Sequence, residues 1–411
     1  MPKPHAEYAD TVISKLNQEK GTSAFDVAKK LYWLLFFESL RASNKCNKML
    51  PLNCSFIYKT PEKYEPPDNL ADDTNYPNLN SRDYAKRPLN HTTRMYEAWE
   101  CISINSPDIE EDDGNVVIAC NKLHGREWCG SLWGFEKRHV TNNKDLGKPS
   151  FKLQCDSLIN CVEFVTKNIL FLALNTGKVQ VWSTYSEVRN DKNPYCLFLI
   201  GERCEHTKPV TSISTFETNE CKALSGCKNG TVKIWDMGCA DLFCQKSFQF
   251  AHSDVITGLA ASLTDDNVFL TCSLDKSCLI WDDRETRPAF ALYKNHNVRF
   301  KDVRWSVENK DCIIYLGDES GYILTIDKRS PNKYLDKSKY FDRPIRKIKP
   351  HRDNLAVIAD KNIVKVSKIA NHAVRYENSD SQHFIRDCIW LRSTELLTVG
   401  FDGKLRFHEV E

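Results

Sequence analysis

The 411-residue chain carries 57 Lys and Arg against 55 Asp and Glu, a formal net charge of +2, with 41% hydrophobic and 27% charged residues. That is the composition of a folded chain with one large or two medium domains, and it excludes the strongly basic field that draws a protein unspecifically to nucleic acid or anionic membrane. Seventeen cysteines, odd in number and without a C-x-x-C pair, exclude a disulfide scaffold and a zinc knuckle and point to a reducing compartment, cytoplasm or nucleus.

In chain order, an N-terminal extension over 1–48 opens on the polar run MPKPHAEYADTVISKLNQEKG, which lacks the pattern of a secretory signal. Its one strongly apolar run, LYWLLFF at 31–37, is far short of the ~20 residues a membrane span needs. Ser23-Ala24-Phe25-Asp26 forms a capping-box pattern ahead of AKKLYWLLFFESLRAS and predicts one helix over about 24–42. Residues 49–90, rich in Pro, Asn and Asp, read as an extended flexible linker.

From 91 to 411 the chain repeats itself. GCKNGTVKIWDMG at 226–238 and CSLDKSCLIWDDR at 272–284 each pair a tight turn with an alternating strand ending in Trp-Asp. Each is preceded by a histidine and a further strand, EHTKPVTSISTF at 205–216 and AHSDVITGLAAS at 251–262. This is the His to Trp-Asp repeat of WD40 propellers, with 46 residues between Trp235 and Trp281. Carrying the register outward places Phe135, Trp182, Ile326, Val366 and His408 in the same strand slot. The predicted fold class is therefore all-β, a seven-bladed WD40 propeller. TTRMYEAWECISI at 92–104 is expected to supply the missing fourth strand of the last blade and so close the ring.

His252, Ser273, Asp275 and Trp281 fall where WD40 blades build a buried hydrogen-bonded tetrad, and their expected role is structural. The adjacent repeat has Cys227 and Asn229 at the hydroxyl and acid positions, which predicts a weaker network. No nucleotide, zinc-protease or serine-hydrolase motif occurs, so no catalytic residues and no cofactor of the chain's own are assigned. Glu110, Glu111, Asp112 and Asp113 form an acidic loop that is either merely solvated or attractive to a basic substrate. Lys337, Lys339, Arg343, Arg346, Lys347, Lys349 and Arg352 cluster near the sixth repeat, but direct nucleic-acid binding is disfavoured without aromatic residues interleaved among them.

GREWCGSLWGF at 125–135 contains two tryptophans. Trp133 lies two residues before Phe135 on the same face and reads as packing. Trp128 falls in the loop between the second and third strands of the first blade, where the repeat has no core slot. A loop tryptophan either folds back over its own blade or anchors a partner.

These stretches, with LSGCKNGTVKIWDMG, VFLTCSLDKSCLIWDDR, GDESG, FIRDCIWL and LLTVGFDG, resemble the methylosome WD-repeat subunit of the Valois type over about residues 90–411. The resemblance implies a non-catalytic partner of the protein arginine methyltransferase that makes symmetric dimethylarginine. The propeller would dock on that enzyme through Trp128 with Gly125 and Arg126. S-adenosylmethionine would belong to the enzyme. The implied substrates are Arg/Gly-rich tails of Sm proteins and histones, handled in a hetero-oligomer away from membranes. The extension over 1–90 has no counterpart in that family, and blades five to seven lack its Trp-Asp signature. A different class of function stays open, because Trp281-Asp282-Asp283-Arg284 fits the W-D-x-R pattern by which propellers serve as substrate receptors of cullin ubiquitin ligases.

Overall fold

A computed structural model describes residues 97–104, 114–124, 127–186, 195–238, 242–285, 290–295, 297–308 and 312–410. The predicted helix over 24–42, the linker, residues 110–113, Gly125 and Arg126 lie outside these. The described strands belong to the second of two compact units, Leu50–Glu411.

Alternating and continuous apolar runs become seven antiparallel sheets. The first holds β1 (Glu97–Ile104), β2 (Asn115–His124), β3 (Glu127–Glu136) and β4 (Phe151–Cys155). The second holds β5 (Ile159–Thr166), β6 (Ile169–Leu174), β7 (Lys178–Ser186) and β8 (Tyr195–Cys204). The third runs β9 (Val210–Thr215), β10 (Lys222–Cys227), β11 (Val232–Asp236) and β12 (Phe243–Phe248). The fourth runs β13 (Ile256–Ala261), β14 (Val268–Ser273), β15 (Ser277–Asp282) and β16 (Phe290–Lys294). The fifth has β17 (Phe300–Trp305), β18 (Ile313–Asp318), β19 (Tyr322–Asp327) and β20 (Asp336–Lys339). The sixth has β21 (Ile345–His351), β22 (Asn354–Ala359), β23 (Val364–Lys368) and β24 (Val374–Asn378), and the seventh β25 (Ile385–Arg392), β26 (Glu395–Gly400) and β27 (Arg406–Glu409). The one helix among the described residues, α1 (Lys137–Asn143), joins β3 to β4.

Burial follows from position in the sheet. Second strands such as β10, β14 and β22 are buried on both faces, so they read as unbroken runs like VFLTC and NLAVIA. Outer strands such as β12 alternate between exposed and half-buried positions. The core is divided into seven apolar clusters, one in each seam between neighbouring sheets. The seventh joins Ile102, Val116, Ile118 and Phe135 of the first sheet to Leu391, Leu397 and Val399 of the last, and it closes the ring.

The expected closing strand behaves differently. Glu97–Ile104 pairs with β2 as the inner strand of the first sheet, and among the described residues no fourth strand lies on β27. The reason is visible in adjacent residues: Cys101 packs into the seam with the second sheet and Ile102 into the seam with the seventh. A strand apolar on both faces belongs inside, not at an edge.

Inner strands are also stitched by side chains that accept a neighbour's backbone N–H. Phe164 donates to Ser103 Oγ, Thr215 to Glu163, Ala261 to Ser214 Oγ and Ile348 to Asp302. Across the closing seam Ile102 N donates to Asp387 Oδ2 at 3.1 Å, while Cys388 N donates to Asp387 Oδ1 at 2.9 Å. Lys144, just past α1, adds an ion pair with Glu395 and lies 5.7 Å over the Phe407 ring. Asp387→Ala strands two buried N–H groups and is expected to cost about 2 kcal/mol, measured as a lowered urea midpoint.

Six of the seven predicted slot residues face the preceding sheet. Val366 is the exception, packing toward the seventh sheet. Ser367 occupies its slot and hydrogen-bonds Tyr340 of β20's C-terminal flank. The predicted basic cluster is also divided. Arg346, Lys347 and Lys349 line an 860 Å³ central channel, whereas Lys337 and Lys339 lie on outer strand β20.

Candidate protein-interaction site

The β2–β3 hairpin is the longest pairing in the first sheet. Its register runs unbroken from Asn115↔Glu136 to His124↔Glu127, so only Gly125 and Arg126 separate the two strands. The corresponding strands β14 and β15 have six residues each against ten here. Among the described residues, β1 accompanies β2 as far as Lys122, and β4 accompanies β3 no further than Gly130. Beyond those points, among the described residues, only the β2–β3 pairing itself continues, through Leu123, His124, Glu127, Trp128 and Cys129.

Trp128 was expected in a loop and is instead the second residue of β3, paired with Leu123. The inter-strand register continues through Glu127, Trp128 and Cys129 right up to the Gly-Arg pair, which leaves no room for a longer loop. The side chain of Trp128, like Gly125 and Arg126, lies outside the described residues. Gly130, expected to mark a turn, sits within the strand. A β-carbon there would lie 2.5 Å from the carbonyl oxygen of Ser157, so the next sheet's approach requires glycine. Trp133 packs as expected in the closing seam, its Nε1 donating to Ser131 Oγ at 2.9 Å. The acidic residues 110–113 join Ile104 to Gly114, at the end of the first sheet opposite the hairpin tip. They and Trp128 are attached to different ends of the propeller.

The tetrad differs in one member from the expectation. His252 Nδ1 meets Asp275 Oδ2 at 2.8 Å, and its Nε2 meets Thr271 Oγ1 at 2.6 Å. Trp281 Nε1 donates to the same Thr271 hydroxyl at 2.9 Å. Thr271, not Ser273, is therefore the hydroxyl member. Ser273 Oγ accepts from the backbone N–H of Asp275 and shapes the turn. Both hydroxyls lie on the face of β14 that carries Phe269, but Thr271 is two residues nearer along the strand to the Phe269↔Trp281 pair, within reach of the indole N–H. Burial pushes the Asp275 carboxyl up, but bonds to His252, Ser277 and the Ser253 N–H outweigh it and bring the pKa to about 2. With the imidazole wholly buried and its hydroxyl partner already engaged by Trp281, the arrangement has no accessible nucleophile.

In the third sheet Ser225, not Cys227, plays the same part, bonding His206 Nε2 at 2.6 Å and Trp235 Nε1 at 2.7 Å. Asn229 accepts from Thr231 N and donates to Thr207 Oγ1, and as an amide it leaves the histidine there without an acid. Burial, with Lys233 nearby, pushes His206 down to about 4 and keeps it neutral. In the seventh sheet His408 takes the tryptophan slot and meets Thr398 Oγ1 at 2.8 Å and the Tyr376 hydroxyl at 3.0 Å. In all three sheets the hydroxyl residue precedes the slot residue by ten positions, a spacing that would have located it from sequence.

The W-D-x-R stretch closes on itself. Asp282 Oδ1 accepts from Arg284 N at 3.1 Å and from Arg284 Nε at 2.7 Å. Asp327 and Arg329 repeat the arrangement one sheet later, so the motif serves as a strand-end clasp. Arg284→Ala is expected to leave the thermal midpoint essentially unchanged, because this exposed pair is solvated. Among the described residues, no group of three or more His, Cys, Asp or Glu side chains is placed to hold a metal ion.

Comparison with known proteins gives three results. The WD domain, G-beta repeat family matches residues 199–236 and 243–282, within the second to fourth sheets. Protein valois of Drosophila melanogaster is 32% identical over 374 residues, covering 88% of this chain and all of that protein, so the match reaches into residues 1–90, where no counterpart was expected. Methylosome protein WDR77 of Xenopus laevis is 25% identical over 303 residues, covering 72% of this chain and 87% of the relative. Among solved structures, a chain of the COPII outer coat vertex on membranes superposes with a TM-score of 0.63 at 17% identity, covering 76% of this chain and 84% of its own. That likeness concerns the fold alone.

Proposed function

Because the chain belongs to the WD-repeat family of Drosophila Valois and the Xenopus methylosome protein WDR77, we propose that it is a non-catalytic scaffold of a protein arginine methyltransferase that makes symmetric dimethylarginine. The observation that carries the proposal is the β2–β3 pairing, which extends past β4 and past the described residues of β1 and carries Trp128 two residues from the Gly125-Arg126 pair. Such an extension offers backbone groups and a large amphipathic side chain to a partner groove. S-adenosylmethionine and the chemistry reside in the enzyme.

The substrates proposed are Arg/Gly-rich tails such as those of Sm proteins and histones. The acidic residues 110–113 are the candidate attractant, and because their segment is attached at the opposite end from the hairpin, enzyme and substrate would approach from opposite faces. The complex is a hetero-oligomer of the cytoplasm or nucleus. The test is co-expression with the methyltransferase followed by gel filtration and an assay of symmetric dimethylation on an Arg/Gly peptide. Co-elution with raised turnover is expected, and separate elution sinks the proposal. Adaptor pull-down with Arg284→Ala examines the ligase reading, which requires that this arginine matter.

A further inference from the structure

The outer rim of the seam between the fourth and fifth sheets carries a feature unrelated to docking on the methyltransferase. Phe290 and Tyr293 of β16 pair with Ile280 and Cys278, whose side chains pack toward the fifth sheet. Facing them, Tyr322 pairs with Lys339 and Leu324 with Lys337, and Leu324 packs in the same seam. The β19–β20 connection crosses between these walls, anchored by Asn332 N donating to Leu292 O at 2.8 Å. It presents Lys333 with Tyr334 at 50% and Leu335 at 64% exposure, and the Tyr334 ring meets Tyr293 edge-on at 6.5 Å.

Four lysines border this groove, Lys328, Lys333, Lys337 and Lys339, and among the described residues none has a carboxylate within ion-pair distance. Three are held over aromatic rings instead: Lys337 and Lys339 lie 4.5 and 5.3 Å from the Tyr322 centroid, and Lys328 lies 6.0 Å from that of Trp305. Asp336, the acid on the same strand, sits at alternate register, is bonded by Ser338 and faces His372 of the sixth sheet. The sequence alone disfavoured nucleic acid because its basic run had no interleaved aromatics. Folding supplies them from three other elements.

We propose that this groove binds single-stranded nucleic acid, the lysines meeting phosphates and Tyr334 stacking on a base. Lysines two apart on one strand face are about 6.6 Å apart along it, which sets a row of point charges beside ring surfaces, the combination by which single strands are held without sequence preference. Low net charge on the whole chain confines the attraction to this rim.

Fluorescence anisotropy of labelled twelve-nucleotide oligo(U) and oligo(dT) against the full chain tests it. Binding is expected at low salt, weakening with a log–log slope near −3 for about four phosphate contacts. Lys337→Glu with Lys339→Glu should weaken it roughly tenfold or more, and Tyr334→Ala roughly fivefold at an unchanged salt slope. Thermal melts confirm that each variant is folded, and a preference between the two oligonucleotides separates RNA from DNA as the source. Absence of binding at low salt, indifference to the lysine variants, or equal competition by a polyglutamate peptide of the same length overturns the proposal. The last result would assign the rim to acidic proteins.

Discussion

Trp128→Ala is expected to abolish co-elution with the methyltransferase while leaving the melting curve of the propeller unchanged. The size of the expected loss follows from the residue's position. A tryptophan that becomes buried at the centre of an interface contributes about 2–4 kcal/mol, roughly 30- to 1,000-fold in Kd. Here it sits two residues from the hairpin tip, beyond the last described pairs of β1 and β4, so the variant is expected to retain the four-stranded body. Titration calorimetry against the purified enzyme measures the effect. A wild-type affinity retained by the variant would place the contact elsewhere on the chain, and a lowered melting temperature would mean that the indole packs on its own blade.

The second large effect distinguishes two neighbouring hydroxyls. Thr271→Ala leaves both Trp281 Nε1 and His252 Nε2 in a buried seam without their shared partner, at a cost of about 3 kcal/mol from two unsatisfied groups. Ser273→Ala removes only the acceptor for the Asp275 backbone N–H and is expected to cost about 1 kcal/mol. Urea unfolding of the two variants side by side decides the matter, and equal costs would mean that the tetrad is not the organising network of this blade.

The same network carries a pH dependence. The folded carboxyl of Asp275 titrates at about 2, below the ~3.9 of an unfolded aspartate. The stabilisation is therefore present in full above about pH 4 and is lost as the pH falls from 4 toward 2. The stability gap between wild type and Asp275→Asn should be constant from pH 7 to 5 and shrink below pH 4. Because the group is partly exposed, solvent screening reduces the size of that gap.

The sequence by itself determined the architecture of this protein. A His to Trp-Asp repeat at fixed spacing, with alternating strands between turns, can bury its apolar faces only by stacking copies around an axis. Six of the seven slot positions and the packing role of Trp133 followed from period-two alternation, and the lack of catalytic motifs followed from local pattern alone. The tertiary structure decided what depends on which face and which neighbour a residue meets. Thr271 rather than Ser273 is the tetrad hydroxyl because, of two residues on one face, cross-strand pairing sets Thr271 nearer to Trp281. Ser367 displaces Val366 from the slot because a one-residue change in register turns a side chain toward the other seam. Glu97–Ile104 became an inner strand because Cys101 and Ile102 serve two seams at once. Trp128 moved from loop to strand because pairing with Leu123 continues to the hairpin tip. The basic run was split between the channel and the outer rim, and the Tyr322 ring of the adjacent strand was brought beside two of its lysines. Periodicity along a chain specifies elements, whereas partners across a seam are set by packing among residues that the sequence keeps far apart.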